Sequence, residues 1–346
     1  MHPTPIGRRA FTALSAALCM AITGHAQAQT PAEWTQVVQL AKQEGSVTFY
    51  NGGLPTVPRV VIKAFEAQYG IKVNQLEARM SEVRERVRAE QAANRWLADV
   101  VLAGASTIAQ QQREGALVPH GALPAAAAIV APYKSRADGT LVPLNANRQA
   151  LLINTRLVKP EDEPKTWADL LDPKWKGKIL SDDPRAAGGG NLAYWVLYDA
   201  FGPAYHQKLA AQQLVFSREL SMNPKRIAAG EYPILLPIGI SEAVKLKGLP
   251  VKAIVPKEGM TYGMEALGIA KNAPHPNAAR LLVNFMLEGP SQATFADYGF
   301  GSATNQPPKV APELPKEVLA APLLGTTQAD PAKSEMLYKF FADTYK

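Results

Sequence analysis

The chain of 346 residues has a single cysteine, Cys19, and it lies within the first 28 positions. Disulfide frameworks, cysteine-rich zinc modules and Cys-x-x-Cys redox chemistry are therefore excluded. Long apolar runs are equally scarce: after Ala10–Ile22, no stretch approaches the roughly 20 apolar residues that span a bilayer. Blocks of one charge are missing too. Lys and Arg number 37 against 30 Asp and Glu, and the densest cluster, "RMSEVRERVRAEQAANR" (79–95), alternates in sign as a solvated helix face does. That pattern argues against a nucleic-acid partner. His-Glu-x-x-His, a nucleophile elbow and a convergent Ser/His/Asp trio are also lacking, so a secreted hydrolase ranks last among the readings and no cofactor is implied.

The first 28 residues read as an export leader. Arg8-Arg9 precede the apolar run, and Ala26-Gln27-Ala28 makes an A-x-A cleavage pattern. Arg8-Arg9-Ala10-Phe11 partly resembles a twin-arginine signal, with Sec export as the default. Leu18 before Cys19 is not the small residue that lipidation needs. The expected mature chain starts at residue 29, functions in the periplasm and has no cysteine. Core burial must hold it together, and its length favours two domains.

Helical and strand patterns alternate along the first third. A helix over 33–44 precedes strand "SVTFY", a helix from Pro58 precedes "IKVNQLEA", and a helix from Ser81 precedes "ADVVLA". This alternation implies a parallel sheet, with ligands at the carboxyl ends of its strands. Three loops then lie side by side: Asn51–Gly53, Arg79–Ser81 and Gly104–Ser106. Further strands are expected at 148–154, 178–180, 230–239, 251–256 and 264–270. Short helices are expected over "ALPAAAA", after Thr166 and over "SEAVKLKG", and longer ones from Pro276 and over Leu337–Tyr345. "SDDPRAAGGGNLAYWVL" (181–197) puts a glycine turn between a strand end and a helix start, where backbone N–H groups and the helix dipole favour an anion. It lacks the Gly-Lys-Ser/Thr of a nucleotide loop.

"GSVTFYNGG", "ADVVLAG", "TWADLLDPKWKGKI" and "KNAPHPNAARLLVNFML" together resemble the periplasmic solute-binding proteins of ABC importers, in their ferric-iron-binding-like branch. The resemblance implies an α/β, two-lobed type II periplasmic binding protein fold with two crossing strands and ligand in the inter-lobe cleft. The crossings are expected near Arg148–Asn154 and Tyr262–Ala270. Lobe 1 is expected over 29–148 plus 264–310 and lobe 2 over 149–263, with 311–346 as an extension packing back on them. It further implies a monomer that binds without catalysing and delivers its ligand to an inner-membrane permease. The ferric site of that branch needs adjacent tyrosines where this chain has Ile240-Ser241, and a histidine where it has Gly53-Leu54. His120 and His275 sit in proline-flanked loops. Ferric or other metal binding is therefore the second reading, and no metal ligands are assigned.

The first reading is a small organic anion: a carboxylate, phosphonate or phosphate ester. Gly52, Gly53, Ser106, Gly188, Gly189 and Gly190 offer backbone or hydroxyl donors, and Ser241 takes the place of a lost tyrosine. Arg79, Arg148 and Arg185 offer guanidinium forks. Arg148 is expected to face the cleft. Arg79 either contacts ligand or belongs to the charged helix. Arg185 either contacts ligand or pairs with Asp182 or Asp183. Asn51 lines the site or shapes a turn; Tyr262 stacks on ligand or packs; Asp183 holds a ligand ammonium, holds a metal ion if the site is metallic, or pairs with Arg185.

Overall fold

The structure, a computed structural model, describes residues 31–53, 56–130, 133, 139–185, 189–219, 222–305, 316–318, 320–324 and 331–346. Its first part runs α1 (Pro31–Glu44), β1 (Ser46–Asn51), α2 (Thr56–Tyr69), β2 (Lys72–Glu77), α3 (Met80–Ala92), β3 (Val100–Gly104), α4 (Ala105–Arg113) and β4 (Leu117–Val118). β1 pairs in parallel with β2 and with β3, because each helix carries the chain back to start a strand in the same direction.

A long β5 (Val142–Asn154) leads to β6 (Ile179–Asp182), α5 (Gly189–Ala210), β7 (Val215–Ser217), α6 (Asn223–Ala229), β8 (Ile234–Gly239), α7 (Ile240–Ala243) and β9 (Val251–Ile254). Then β10 (Thr261–Ala270), α8 (Pro276–Leu287), α9 (Gly289–Asp297), β11 (Gly301–Ser302) and α10 (Pro331–Thr344) complete the described elements. The sheet is mixed, in the order β2-β1-β3-β10-β5-β8-β6-β7, with β4, β9 and β11 beside it.

β5 is the strand that both halves share. Its first part pairs antiparallel with β10, and its last part with β8 and β9. It starts at Val142, earlier than the pattern at 148–154 indicates. "VPLNAN" reads as a turn, yet Pro143 lies opposite Ala266 at an irregularity after Glu265, the kind of position where a strand tolerates proline. The alanine-rich segment and "ADLL" form 3-10 turns, and α7 is a single turn.

Two sets of buried residues flank the sheet in the first half. Phe49, Phe65, Leu144, Leu282 and Phe285 lie in one cluster, and Val83, Val87, Val101 and Ile108 in another. The second half buries Trp167, Tyr194, Leu236, Leu337, Phe341 and Tyr345 together, and Leu152, Leu180, Ile227, Ile240 and Val318 together. The C-terminal helix α10 is thus part of the second half's core. There Tyr345 Oη and His206 Nδ1 share a 2.7 Å hydrogen bond, and burial lowers His206 to a pKa of about 4. Among the described residues no helix is long and apolar enough to cross a membrane.

Candidate functional site

The carboxyl ends of β1, β2 and β3 come together as the sequence implies. Ala78 N–H donates to Asn51 O at 3.2 Å, and Gly52 N–H to Leu102 O at 2.8 Å. Gly104 N–H points at Met80 Sδ, 3.2 Å away. The two glycines differ from expectation, however, in what their N–H groups do. Gly52 spends its donor on Leu102, and Gly53 donates to Asn51 Oδ1 at 3.1 Å, so Asn51 shapes this turn. A depression of about 490 Å³ opens here, lined by Asn51, Gly52, Gly53, Glu77, Ala78, Arg79 and Glu82. Arg79 precedes α3, its N–H held by the Glu82 carboxylate at 3.1 Å, and its side chain is exposed at the rim. Ser106 lies in the first turn of α4, beside Gly104.

In the second half β6 ends at Asp182 and α5 begins at Gly189, so Gly189 and Gly190 form the helix's first turn. Gly188 lies outside the described residues. The Asn191 amide donates to Pro184 O. Asp183 is buried and carries two arginines. Arg185 donates from Nε at 2.8 Å and Nη2 at 3.2 Å, and Arg218 from Nε at 3.2 Å and Nη2 at 3.0 Å. Burial alone would raise the Asp183 carboxyl, but these bonds outweigh it and hold its pKa below the usual range. Arg185 also reaches Tyr345 O at 3.0 Å and lies over the Phe216 ring, so of its two readings the geometry takes the ion pair. The same pair accounts for Asp183. Arg218 was not among the sequence candidates, although it directly follows the end of β7; its side chain is 71% exposed. Ser241 is buried at the start of α7, next to Gly299.

The strands shared by the halves bring a correction. Arg148 does not open its strand and does not face outward. It sits mid-strand opposite Tyr262, and its Nη1 donates to the carbonyls of Val318 (3.2 Å) and Ala321 (2.8 Å). Burial lowers its pKa. Strand alternation puts it on the same face as Leu144 and Ala146, whose cluster also takes in Tyr262; Tyr262 thus follows its packing alternative.

The opposite face of the same strands holds Asn145, Asn147, Gly263 and Glu265, with Asn145 paired to Glu265 and Asn147 to Gly263 across the ladder. Loops from both halves converge on it. A Cβ at Gly53 would lie 2.9 Å from Glu265 Oε2, one at Gly239 would lie 3.1 Å from Asn147 Oδ1, and one at Gly263 would lie 3.3 Å from Leu192 of α5. This face is the floor between the halves. Asn145 is 0% and Glu265 8% exposed. Both amide atoms of Asn145, Oδ1 of Asn147 and Oε2 of Glu265 have no hydrogen-bond partner among the described residues. Burial pushes Glu265 up to a pKa of about 7. One sequence cue existed: Glu265 is the lone acid in the apolar strand "YGMEALGIA". Gly53→Ala places a methyl against the far end of the Glu265 side chain, which can swing aside, so thermal melting is expected to show a small loss, about 1 kcal/mol or less; a loss several times larger would show that the carboxylate is held fast.

The depression is lined by first-half residues, and Gly53 at its edge lies against Glu265 of the floor. Among the described residues no group of three His, Cys, Asp or Glu could hold a metal ion. His275 bonds Asp99 Oδ2 at 2.8 Å and Ser46 Oγ at 3.3 Å, a structural tie rather than a ligand set.

The sequence model for bacterial extracellular solute-binding proteins matches residues 61–325. Iron uptake protein A1 of Synechocystis is 24% identical over 279 residues, covering 75% of each chain. Iron-bound HitA of Pseudomonas aeruginosa superposes with a TM-score of 0.71 at 20% identity, over 86% of this chain and 99% of that one. AfuA of Actinobacillus pleuropneumoniae, with fructose-6-phosphate bound, gives 0.66 at 21% identity, over 87% and 98%. The fold is that of the two-lobed periplasmic binding proteins, whose members bind rather than catalyse. The chain belongs to the bacterial extracellular solute-binding protein family.

Proposed function

We propose that this chain captures a small organic anion in the periplasm, after removal of residues 1–28, and hands it to an inner-membrane ABC permease as a monomer. Solute-binding proteins of this family serve such permeases; the anion is the finer reading. One observation carries it. Two arginines converge on the buried carboxylate of Asp183, beside the buried Asp182 that ends β6, and of the two Arg218 stands exposed near the start of α5. Arg218 keeps an exposed guanidinium edge that a carboxylate, phosphonate or phosphate ester can engage. AfuA, with its bound sugar phosphate, supports the anion. The iron-binding relatives favour metal, but Ile240 and Ser241 supply no phenolate where that branch needs tyrosines.

In this reading residues 29–148 with 264–310 form one lobe and 149–263 the other, with 311–346 packed back on them. The lobes close about β5 and β10. Calorimetry with propylphosphonate, propionate and ferric citrate tests the ligand class. Arg218→Ala is expected to weaken phosphonate or carboxylate binding about tenfold, roughly 1.4 kcal/mol, as suits a rim charge, with Asp183 still paired to Arg185. Equal affinity in the variant, or tight binding of ferric citrate alone, would refute the anion reading. Saturating ligand should also reduce the radius of gyration in solution scattering, since a ligand contacting both lobes favours their closed state.

A further inference from the structure

The floor between the halves contains acceptors that the fold leaves unused. Glu265 Oε2, Asn145 Oδ1 and Asn147 Oδ1 have no partner among the described residues. They belong to one face of two adjacent strands, with Asn145 directly opposite Glu265. Buried polar groups are normally paired, and an unmet one in a native structure calls for a ligand, an ion or a water. Loop packing does not meet this need. The neighbours that press on the floor from β1 and β8 are Gly53 and Gly239, and the residue opposite Glu265 on β3 is Gly104. From the first half, glycines therefore stand nearest the carboxylate in register and approach.

We propose that this floor receives a primary ammonium group of the ligand, so that the bound solute is an amine-bearing acid: its acid end meets Arg218 and the start of α5, and its amine meets Glu265, Asn145 and Asn147. The inference rests on the reading of the groove as the binding site of a small anion. An ammonium carries three N–H donors and one positive charge. The floor supplies three unpartnered acceptor oxygens, one of them on a carboxylate, together with one unpartnered donor, Asn145 Nδ2. A multivalent hard cation fits worse, because it seeks several anionic oxygens and Glu265 is the only acid on this face. Asn145 and Asn147 orient the ammonium without adding charge, and Glu265 supplies the counter-charge. The missing side chains at Gly53 and Gly239 leave the close approach that a ligand head group needs. The raised pKa of Glu265 has burial as its only cause, which matches an acid awaiting a cation.

Matched probes test this. The full mature protein, unfolded and refolded to free it of carried-over solute, is titrated at pH 8 with 3-aminopropylphosphonate and propylphosphonate, with β-alanine and propionate, and with putrescine. The expected result is at least tenfold tighter binding of the amine-bearing member of a pair, with the gap collapsing in Glu265→Gln. Asn145→Ala, a second variant, should narrow the same gap while retaining propylphosphonate binding. Equal affinity within both pairs in the wild type would overturn the inference, leaving a water as the floor's occupant, while the anion reading stands. Tight binding of putrescine with no binding of either pair would uphold the ammonium site and overturn the anion reading. Binding of no probe at millimolar concentration would overturn both.

Discussion

Glu265→Gln is expected to stabilise the ligand-free protein at pH 8 and to leave its stability nearly unchanged near pH 4.5. Glu265 is buried beside Gly53, Gly104, Asn145 and Asn147, none of which carries a charge. With its carboxyl pushed from 4.5 to about 7, the folded state holds a proton that the unfolded chain has already lost. The direction follows by linkage. Stability is greatest below the unfolded value, declines as pH rises from 4.5 to about 7, and is level above that. At 1.36 kcal/mol per unit the wild type forgoes about 3 kcal/mol at pH 8, and glutamine removes this penalty. Urea denaturation at the two pH values measures it. A wild type and variant that respond alike to pH would show that Glu265 is solvated or already paired. Added amine-bearing probe should narrow the difference at pH 8, because it binds the protein that retains the carboxylate more tightly.

Tyr345→Ala is expected to cost about 4 kcal/mol, the range for removing a large aromatic from a core. Tyr345 is 1% exposed; its ring meets those of Tyr194 and Phe216 edge-on, and its hydroxyl satisfies His206 Nδ1. The variant leaves that nitrogen unpaired and admits water, so His206 should titrate closer to its ordinary value of 6.5 than to about 4. Imidazole resonances followed by NMR would report the change. A loss below about 1 kcal/mol with an unmoved His206 would mean that α10 is an ornament on the second half and not part of its core. The backbone carbonyl of Tyr345 also accepts from Arg185.

The alternating first third was legible because periods of 3.6 and 2 mark elements that bury one face. β1, β2 and β3 and their loops stand where that pattern puts them. The site was less legible. Arginines looked like ligand contacts because their chemistry suits anions, but sequence cannot tell a guanidinium facing a ligand from one facing two carbonyls, as Arg148 does, or one facing Asp183, as Arg185 does. Asn145 and Asn147 were lost for the opposite reason. Asparagine is a turn former and poor in strands, and "VPLNAN" hides the first half of β5. Only the pairing of β5 with β10 brings Asn145 opposite Glu265 and Asn147 opposite Gly263, and no local pattern encodes a partner more than a hundred residues away. Arg218 likewise becomes visible only when β7 lies beside β6.

The most direct test is mass spectrometry of the small molecules and metals released when freshly purified protein is denatured. The account predicts an organic acid that also bears an amine, released at close to one equivalent per chain. Stoichiometric ferric iron, or an acid with no basic nitrogen, would contradict it.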